Sequence, residues 1–294
     1  MRALITGSTG FIGRHLSSFL IENGHEVYSV VREQTNHERL VPGVYACLYE
    51  GSIDSLISIL KATKPDIVIH LAARIQDRHA PVDIEPLIKS NITFGANLLE
   101  SMAQSGTRYL VNTSTSWQHY QGRDYSPTCL YAATKQAFEA LIRYYVDTQS
   151  LNVITLKLFD TYGPQDTREK LLPQFLRIIG DGSSLNMSPG EQLIDLVHVD
   201  DVIRAYSIAI ERLICGAVAN EESYAVSSGQ QIKLRDFAAI FARCARSHLH
   251  INWGARPYRE REVMIPWSTG TSLPGWRPQV GLEEGLTNLC TGNV

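Results

Sequence analysis

The chain has 294 residues, 44% of them hydrophobic, and a formal net charge of −3. That length can bury a large core in one or two lobes, and a near-balanced charge without a basic run excludes a nucleic-acid polymer or an anionic membrane surface as the expected partner. No apolar stretch is long enough to cross a bilayer, and the first residues already read as a strand, so neither a membrane span nor a secretory leader is expected.

Residues 2–6 read as a short buried strand ending at a glycine, and 11–23 as the helix behind it. Between them Gly7, Gly10 and Gly13 recur at spacings of three. A turn without side chains lets backbone N–H groups approach a diphosphate, and the helix N-terminus adds partial positive charge. Gly13 is followed by Arg14-His15 rather than Lys-Ser/Thr, which excludes the NTPase form of a phosphate-binding glycine loop. The turn therefore points to a dinucleotide and to redox chemistry. The next strand spans 26–31. NAD users place an acid at its end for the adenosine ribose hydroxyls. Here Arg32 stands there, suited to a 2′-phosphate, with Glu33 one residue on as the competing group. NADPH is expected, with NADH or NAD as the alternative.

A helix over 53–63, a strand over 67–70, a helix over 84–105, a strand over 109–112, a helix over 131–148 and a strand over 153–158 continue the alternation. These strands are continuous apolar runs, as when both sheet faces are covered. The pattern predicts an α/β fold: a Rossmann-type doubly wound parallel sheet with a smaller C-terminal substrate-binding lobe. After Gly163-Pro164 the rhythm changes. Residues 165–191 are polar and broken by Gly180, Gly182, Pro189 and Gly190, and 253–278 are rich in Pro, Arg and Trp. The expected division is an NAD(P)-binding domain over 1–163, with a return around 193–228, and a mainly substrate-binding lobe over 164–294.

Tyr131 and Lys135 open a good helix at positions i and i+4, on one face. Alone the pair better suits a solvated helix face, and its value comes from the dinucleotide turn and the hydroxyl-rich strand end upstream. An ammonium beside a phenol is expected to lower its pKa, so that Tyr131 exchanges a proton near neutrality. Upstream, Asn112-Thr-Ser-Thr-Ser116 places a run of hydroxyls past the C-terminal end of a parallel strand, at the rim where α/β proteins bind ligands. Any one of them also suits a cap on the next turn. The five cysteines are dispersed, without a Cys-x-x-Cys pair, as expected of reduced thiols in a cytoplasm. The nine histidines show no ligand spacing, and no metal is expected.

Thr-Gly-x-x-Gly-Phe-Ile-Gly at 6–13, His-Leu-Ala-Ala at 70–73, the hydroxyl-rich strand end, Tyr-x-x-x-Lys at 131–135, Tyr-Gly-Pro at 162–164 and His-Val-Asp-Asp at 198–201 occur in that order. Through them the chain resembles the extended short-chain dehydrogenase/reductases, the NAD-dependent epimerase/dehydratase family, over nearly its whole length. The stretches 112–120, 130–139, 157–163 and 188–192 are most similar to a branch of nucleotide-sugar 4-ketoreductases typified by CDP-abequose and CDP-paratose synthases.

The resemblance implies roles residue by residue. Gly7, Thr9, Gly10, Phe11, Ile12 and Gly13 match the diphosphate turn. Ser52 and Ile53 match the adenine-contacting pair, although the family commonly has Asp where Ser52 stands. Leu71, Ala72 and Ala73 match the strand end beside the cofactor, with Asn91 and Leu158 as further cofactor neighbours. Thr115 matches the catalytic hydroxyl, Tyr131 the acid/base, and Lys135 its partner, which also holds the nicotinamide ribose. Thr115, Ser116, Trp117, Phe159, Gln192 and Arg259 are the implied substrate contacts. Arg259 suits a diphosphate through its planar guanidinium, and Arg256 and Arg261 beside it carry the same chemistry. Dehydratases of the family place Asp-Glu directly after the catalytic Thr. Here Ser116-Trp117 stand there, so reduction of a C4 keto group on a nucleotide-linked 4-keto-6-deoxy or 3,6-dideoxy hexose (CDP- or dTDP-linked) is expected. Epimerisation at C4 with tightly bound NAD is the alternative. A homodimer is implied, packed through the helices near 91–105 and 131–148. Ile92, Leu98, Leu99, Phe138, Leu141 and Ile142 could form that face, or ordinary core.

Overall fold

The computed structural model describes residues 1–291; residues 292–294, at the end of the expected second lobe, lie outside the described residues. In chain order the strands are β1 (Arg2–Thr6), β2 (Glu26–Arg32), β3 (Tyr45–Tyr49), β4 (Ile67–His70), β5 (Tyr109–Thr115), β6 (Asn152–Leu158), β7 (Asp160–Tyr162), β8 (Leu185–Met187), β9 (Leu193–His198), β10 (Glu221–Val226), β11 (Gln231–Lys233) and β12 (Ile251–Trp253). The helices are α1 (Phe11–Glu22), α2 (Ile53–Thr63), α3 (Ile84–Ile88), α4 (Phe94–Ser105), α5 (Leu130–Gln149), α6 (Leu171–Asp181), α7 (Val199–Ile214), α8 (Leu234–Cys244) and α9 (Leu282–Thr291).

Seven strands form one parallel sheet in the order β10-β6-β5-β4-β1-β2-β3. Side chains alternate across it. Ala3, Ile5, Ile67, Ile69 and Val111 pack with Leu16 and Leu20 of α1 and Val202 and Tyr206 of α7. Leu4, Val68, Leu110 and Val153 pack on the other face with Leu60, Leu98, Met102, Phe138 and Ile142 of α2, α4 and α5. Covering both faces explains why these strands read as unbroken apolar runs. The strand order reverses between β1 and β4, which makes the C-terminal edge there the crevice of a doubly wound sheet. The Rossmann-type α/β class is the observed one.

Two strands of this sheet escape sequence patterning. β3 is an edge strand with Tyr45 58% and Leu48 51% exposed, so it lacks the buried run of its neighbours. β10 is the other edge and opens with Glu-Glu-Ser.

The helix expected over 84–105 is interrupted: Lys89–Thr93 form a π-helical turn between α3 and α4. Beyond it, a Cβ on Gly95 would collide with the Phe138 ring, so glycine lets α4 and α5 approach closely. Leu98, Leu99, Phe138 and Ile142, offered by the sequence as a dimer face, are fully buried within the protomer. The apolar side chains exposed on these helices are instead Ile84, Ile88 and Tyr144.

The remaining strands are a three-stranded sheet, β11-β9-β7, and a β8–β12 pair. With α6, α8 and α9 they surround a separate cluster of Tyr162, Phe175, Phe237, Phe241 and Leu286. Asp201 of α7 anchors the C-terminal segment: its carboxylate accepts the N–H groups of Gln279 (2.7 Å) and Val280 (3.1 Å) and pairs with Arg204. Among the described residues no helix is long and apolar enough to cross a membrane.

Candidate active site

The residues singled out by the sequence gather along the C-terminal edge of the large sheet. Gly7 follows β1, Arg32 ends β2, Ser52 follows β3, Leu71, Ala72 and Ala73 follow β4, Thr115 ends β5 and Leu158 ends β6. Gly7 has φ +80°, and a Cβ there would lie 2.7 Å from the Ala72 nitrogen. A Cβ on Gly13 would collide with the Gly7 carbonyl and the Ser8 backbone. Glycine is thus required where the turn, α1 and the end of β4 converge. Thr6 Oγ1 ties the same point together, accepting from Ala72 N–H (3.2 Å) and bonding His70 Nδ1 (2.7 Å). Gly10 opens α1, with Thr9 and Ile12 half-buried beside it. The buried Phe11 lies under the Arg168 guanidinium at 4.3 Å. A side-chain-free cradle backed by a helix N-terminus fits the diphosphate of a dinucleotide.

At the end of β2, Arg32 is exposed and has no carboxylate within ion-pair distance among the described residues. Ser52 caps α2, its Oγ accepting from Ser55 N–H at 3.2 Å, and Ile53 is the first helical residue. Asn91 sits in the π-helical turn with both ends of its amide engaged. Its oxygen accepts from Arg74 N–H (2.8 Å), and its nitrogen donates to the Arg74 carbonyl (3.0 Å) and Thr134 Oγ1 (2.9 Å). It therefore holds the loop after β4 against α5.

Thr115 and Leu158 are directly paired across β5 and β6. Thr115 Oγ1 accepts from Trp117 N–H at 3.2 Å, which leaves its own O–H free to donate. Tyr131 lies in the first turn of α5, and the Trp117 ring meets it edge to face at 6.3 Å between centroids. Both Tyr131 and Lys135 are buried. The expected lowering of the phenol is not what the fold produces: burial pushes Tyr131 up, with Cys129 adding to it. Burial also pushes Lys135 down to about 8, with Glu139 opposing the shift. The i, i+4 spacing anticipated the shared face, but desolvation governs both groups: it is reinforced by Cys129 at Tyr131 and outweighs Glu139 at Lys135.

Among the residues expected to meet substrate, Ser116 and Trp117 are half-buried and Phe159 is buried beyond β6. Gln192 Nε2 donates to Ser188 Oγ at 3.1 Å, while its Oε1 is buried without a partner among the described residues. Arg259 bridges Asp77 (2.8 Å) and Glu262 (3.1 Å). Asp77, in the loop after β4, went unnoticed in the sequence: it is 182 residues from Arg259, and no local pattern marks it.

A family model described as "NAD dependent epimerase/dehydratase family" matches residues 3–220. Among curated proteins, CDP-abequose synthase of Salmonella muenchen is 25% identical over 295 residues, covering 99% of this chain and 97% of that protein. CDP-abequose synthase of Yersinia pseudotuberculosis is 27% identical, covering 90% and 92%. Among solved structures, UDP-glucose 4-epimerase of Thermus thermophilus, complexed with NAD, superposes with a TM-score of 0.83 at 25% identity over the full length of both chains.

Proposed function

The chain belongs to the NAD dependent epimerase/dehydratase family, and from that premise we propose that it is an NADPH-dependent reductase of the C4 keto group of a nucleotide-linked 4-keto-6-deoxy or 3,6-dideoxy hexose. What supports this reading is Thr115 at the end of β5, on the edge that bears the glycine cradle, bonded to Trp117, whose ring meets Tyr131 one turn before Lys135 on α5, with no acid at Ser116 or Trp117. A nicotinamide dinucleotide, when bound, supplies hydride. The chain's own residues handle the proton. Burial holds Tyr131 as a neutral phenol, the form that can donate to a ketone oxygen as it becomes an alcohol. Thr115 O–H can donate to the same oxygen. Lys135, on the same face of α5, carries a positive charge below about pH 8 that favours the phenolate left after transfer. Ser116 and Trp117 offer no acid/base group of the kind that water elimination needs. Arg32, free of any carboxylate partner among the described residues, suits a 2′-phosphate. Arg259 and the unpaired Gln192 Oε1 suit the diphosphate and polar parts of the sugar nucleotide.

A second reading, a nucleotide-sugar 4-epimerase retaining NAD, is favoured by the full-length likeness to the Thermus thermophilus epimerase. Incubation with NADPH and a panel of CDP- and dTDP-4-keto-deoxysugars, with NMR of the product, separates the two. A reductase consumes NADPH in step with alcohol formation. An epimerase consumes none and carries NAD through purification. Tyr131→Phe should abolish turnover and leave cofactor affinity near wild type; a variant that turns over normally eliminates the mechanism. We further propose a homodimer packed through Ile84, Ile88 and Tyr144, checked by sedimentation of an Ile88→Glu variant, and a reducing, cytoplasmic setting that suits the five free cysteines.

A further inference from the structure

Behind the end of β5 lies a set of charged groups of which only Glu139, through Lys135, touches the proton chemistry. Glu139, one turn beyond Lys135, accepts from Ser114 Oγ and from Gln118 Nε2 (2.8 Å). Its other oxygen lies 3.6 Å from Lys157 Nζ on β6. Lys157 Nζ is 3.0 Å from His119 Nε2. His119 Nδ1 lies 3.0 Å from the Arg123 carbonyl, which can only accept, so Nδ1 carries the proton and Nε2 accepts from the Lys157 ammonium. The same imidazole stacks on Trp267, with centroids 3.8 Å apart and planes at 13°. Trp267 in turn lies parallel to Phe159 at 6.4 Å.

Phe159 and Trp267 line a cavity of about 270 Å³, together with Ser227 and Ser228 past the end of β10 and Gly270 and Trp276 of the C-terminal segment. Phe159 follows Leu158, the register partner of Thr115, so the cavity lies beside the catalytic strand end, toward β10. Of its four serines, Ser227 and Ser228 have their hydroxyls engaged by Asp195, at 2.5 and 2.7 Å, while Ser268 and Ser272 lie on the side of the C-terminal segment. Phe159, Ala225, Trp267 and Trp276 give it an aromatic and apolar wall, which suits the carbon face of a hexose, and Ser268, Ser272 and Arg277 give it polar groups for the hydroxyls or phosphates around that face.

We propose that His119 and Lys157 are positioning residues: they anchor Trp267 of the C-terminal segment to the end of β5, so that Trp267 and Phe159 stand as a fixed wall for the hexose of the nucleotide sugar. The wall rests on the nucleotide-sugar reading; the anchor does not. The groups facing the imidazole are Lys157 from β6, Glu139 from α5, the Arg123 and Asp124 backbone of its own loop, and Trp267. Burial first, and then Lys157, hold His119 below its ordinary value of 6.5, in the neutral form the anchor needs. Protonation would set two cations side by side, so the anchor holds through the ordinary imidazole range and weakens only in more acidic solution.

The test compares wild type with Lys157→Met, His119→Ala and Lys157→Arg. Near-UV circular dichroism of the free protein reads the Trp267 environment. Calorimetry with CDP- and dTDP-4-keto-6-deoxyglucose against bare CDP and dTDP reads the wall. The expected result is a changed aromatic spectrum and a roughly five- to tenfold weaker sugar-nucleotide affinity in the Met and Ala variants, the scale of one lost aromatic contact. Bare nucleotides should bind as in wild type, and Lys157→Arg should restore both signals. Unchanged spectra and affinities overturn the proposal, as does an equal loss for bare nucleotides. If Lys157→Met does not fold, Trp267→Ala carries the affinity test, and Trp267→Phe, which keeps a stacking ring, should be milder. If wild type binds bare nucleotides but no sugar nucleotide, the hexose wall falls with the nucleotide-sugar reading, and the spectra alone decide the anchor.

Discussion

Raising the pH should switch catalysis off through Lys135. Burial pushes this ammonium down to about 8, and Glu139 keeps it from falling further. A group titrating there is about nine-tenths charged at pH 7, half charged at pH 8 and about one-tenth charged at pH 9. If the charge is needed when Tyr131 gives up its proton, kcat/KM for the keto sugar should be level from about pH 6 to 7 and fall about tenfold per unit beyond pH 8. The assay is initial-rate oxidation of NADPH across pH 6–10 at constant ionic strength, since kcat/KM reports the free enzyme. Lys135→Arg is the control: a guanidinium stays charged, so the alkaline fall should vanish even though the absolute rate drops. A level profile to pH 9.5, or a fall that persists unchanged in Lys135→Arg, refutes the reasoning. Stability should move the opposite way. The folded lysine releases its proton near 8 and the unfolded one near 10.5, so the unfolded chain binds more protons between those values. Stability from this group therefore rises with pH across that window and is lost as pH falls toward 8. Denaturant midpoints at pH 8 and pH 10, compared between wild type and Lys135→Met, would show it.

Arg32→Ala should raise KM for NADPH by tenfold or more and leave KM for NADH nearly unchanged, because only a 2′-phosphate needs the guanidinium; equal effects would remove Arg32 from cofactor choice. Gly13→Ala forces a Cβ into the Gly7 carbonyl and the Ser8 backbone. It should destabilise by about 1–3 kcal/mol and weaken dinucleotide binding by more than tenfold, read by thermal melts and calorimetry. Asp201→Asn removes the charge that holds Arg204 and the Gln279 and Val280 amides. Losing the ion pair and one of two charge-assisted hydrogen bonds should cost about 3 kcal/mol and lower Tm by about 5 °C.

Much of the fold was legible because burial on both sheet faces leaves a local trace. β1 and β4 coincide with apolar runs, and β2, β5 and β6 extend past theirs by one to three residues at one end. The glycine turn was legible for a related reason: Gly7 and Gly13 stand where backbone meets backbone, and no other residue type fits. β3 and β10 left no such trace, being edge strands whose exposed or polar positions carry no alternation. The π-helical turn at 89–93 was hidden as well, since the engagement of Asn91 with Arg74 and Thr134 shows nothing locally.

The site divides along the same line. The sequence by itself determined which groups are present, and that Gly7, Arg32, Thr115 and Leu158 fall at strand ends, because strand, turn and helix periodicities are local properties of the chain. Tertiary structure decided their environments. The direction of the Tyr131 shift depends on how much of the protein covers the phenol, and no spacing along a helix encodes that. The Arg259–Asp77 bridge and the His119–Trp267 stack join segments far apart in the chain. Such contacts arise only when residues 253–278 fold back onto the sheet edge, because charge and aromatic packing act through space rather than along the backbone.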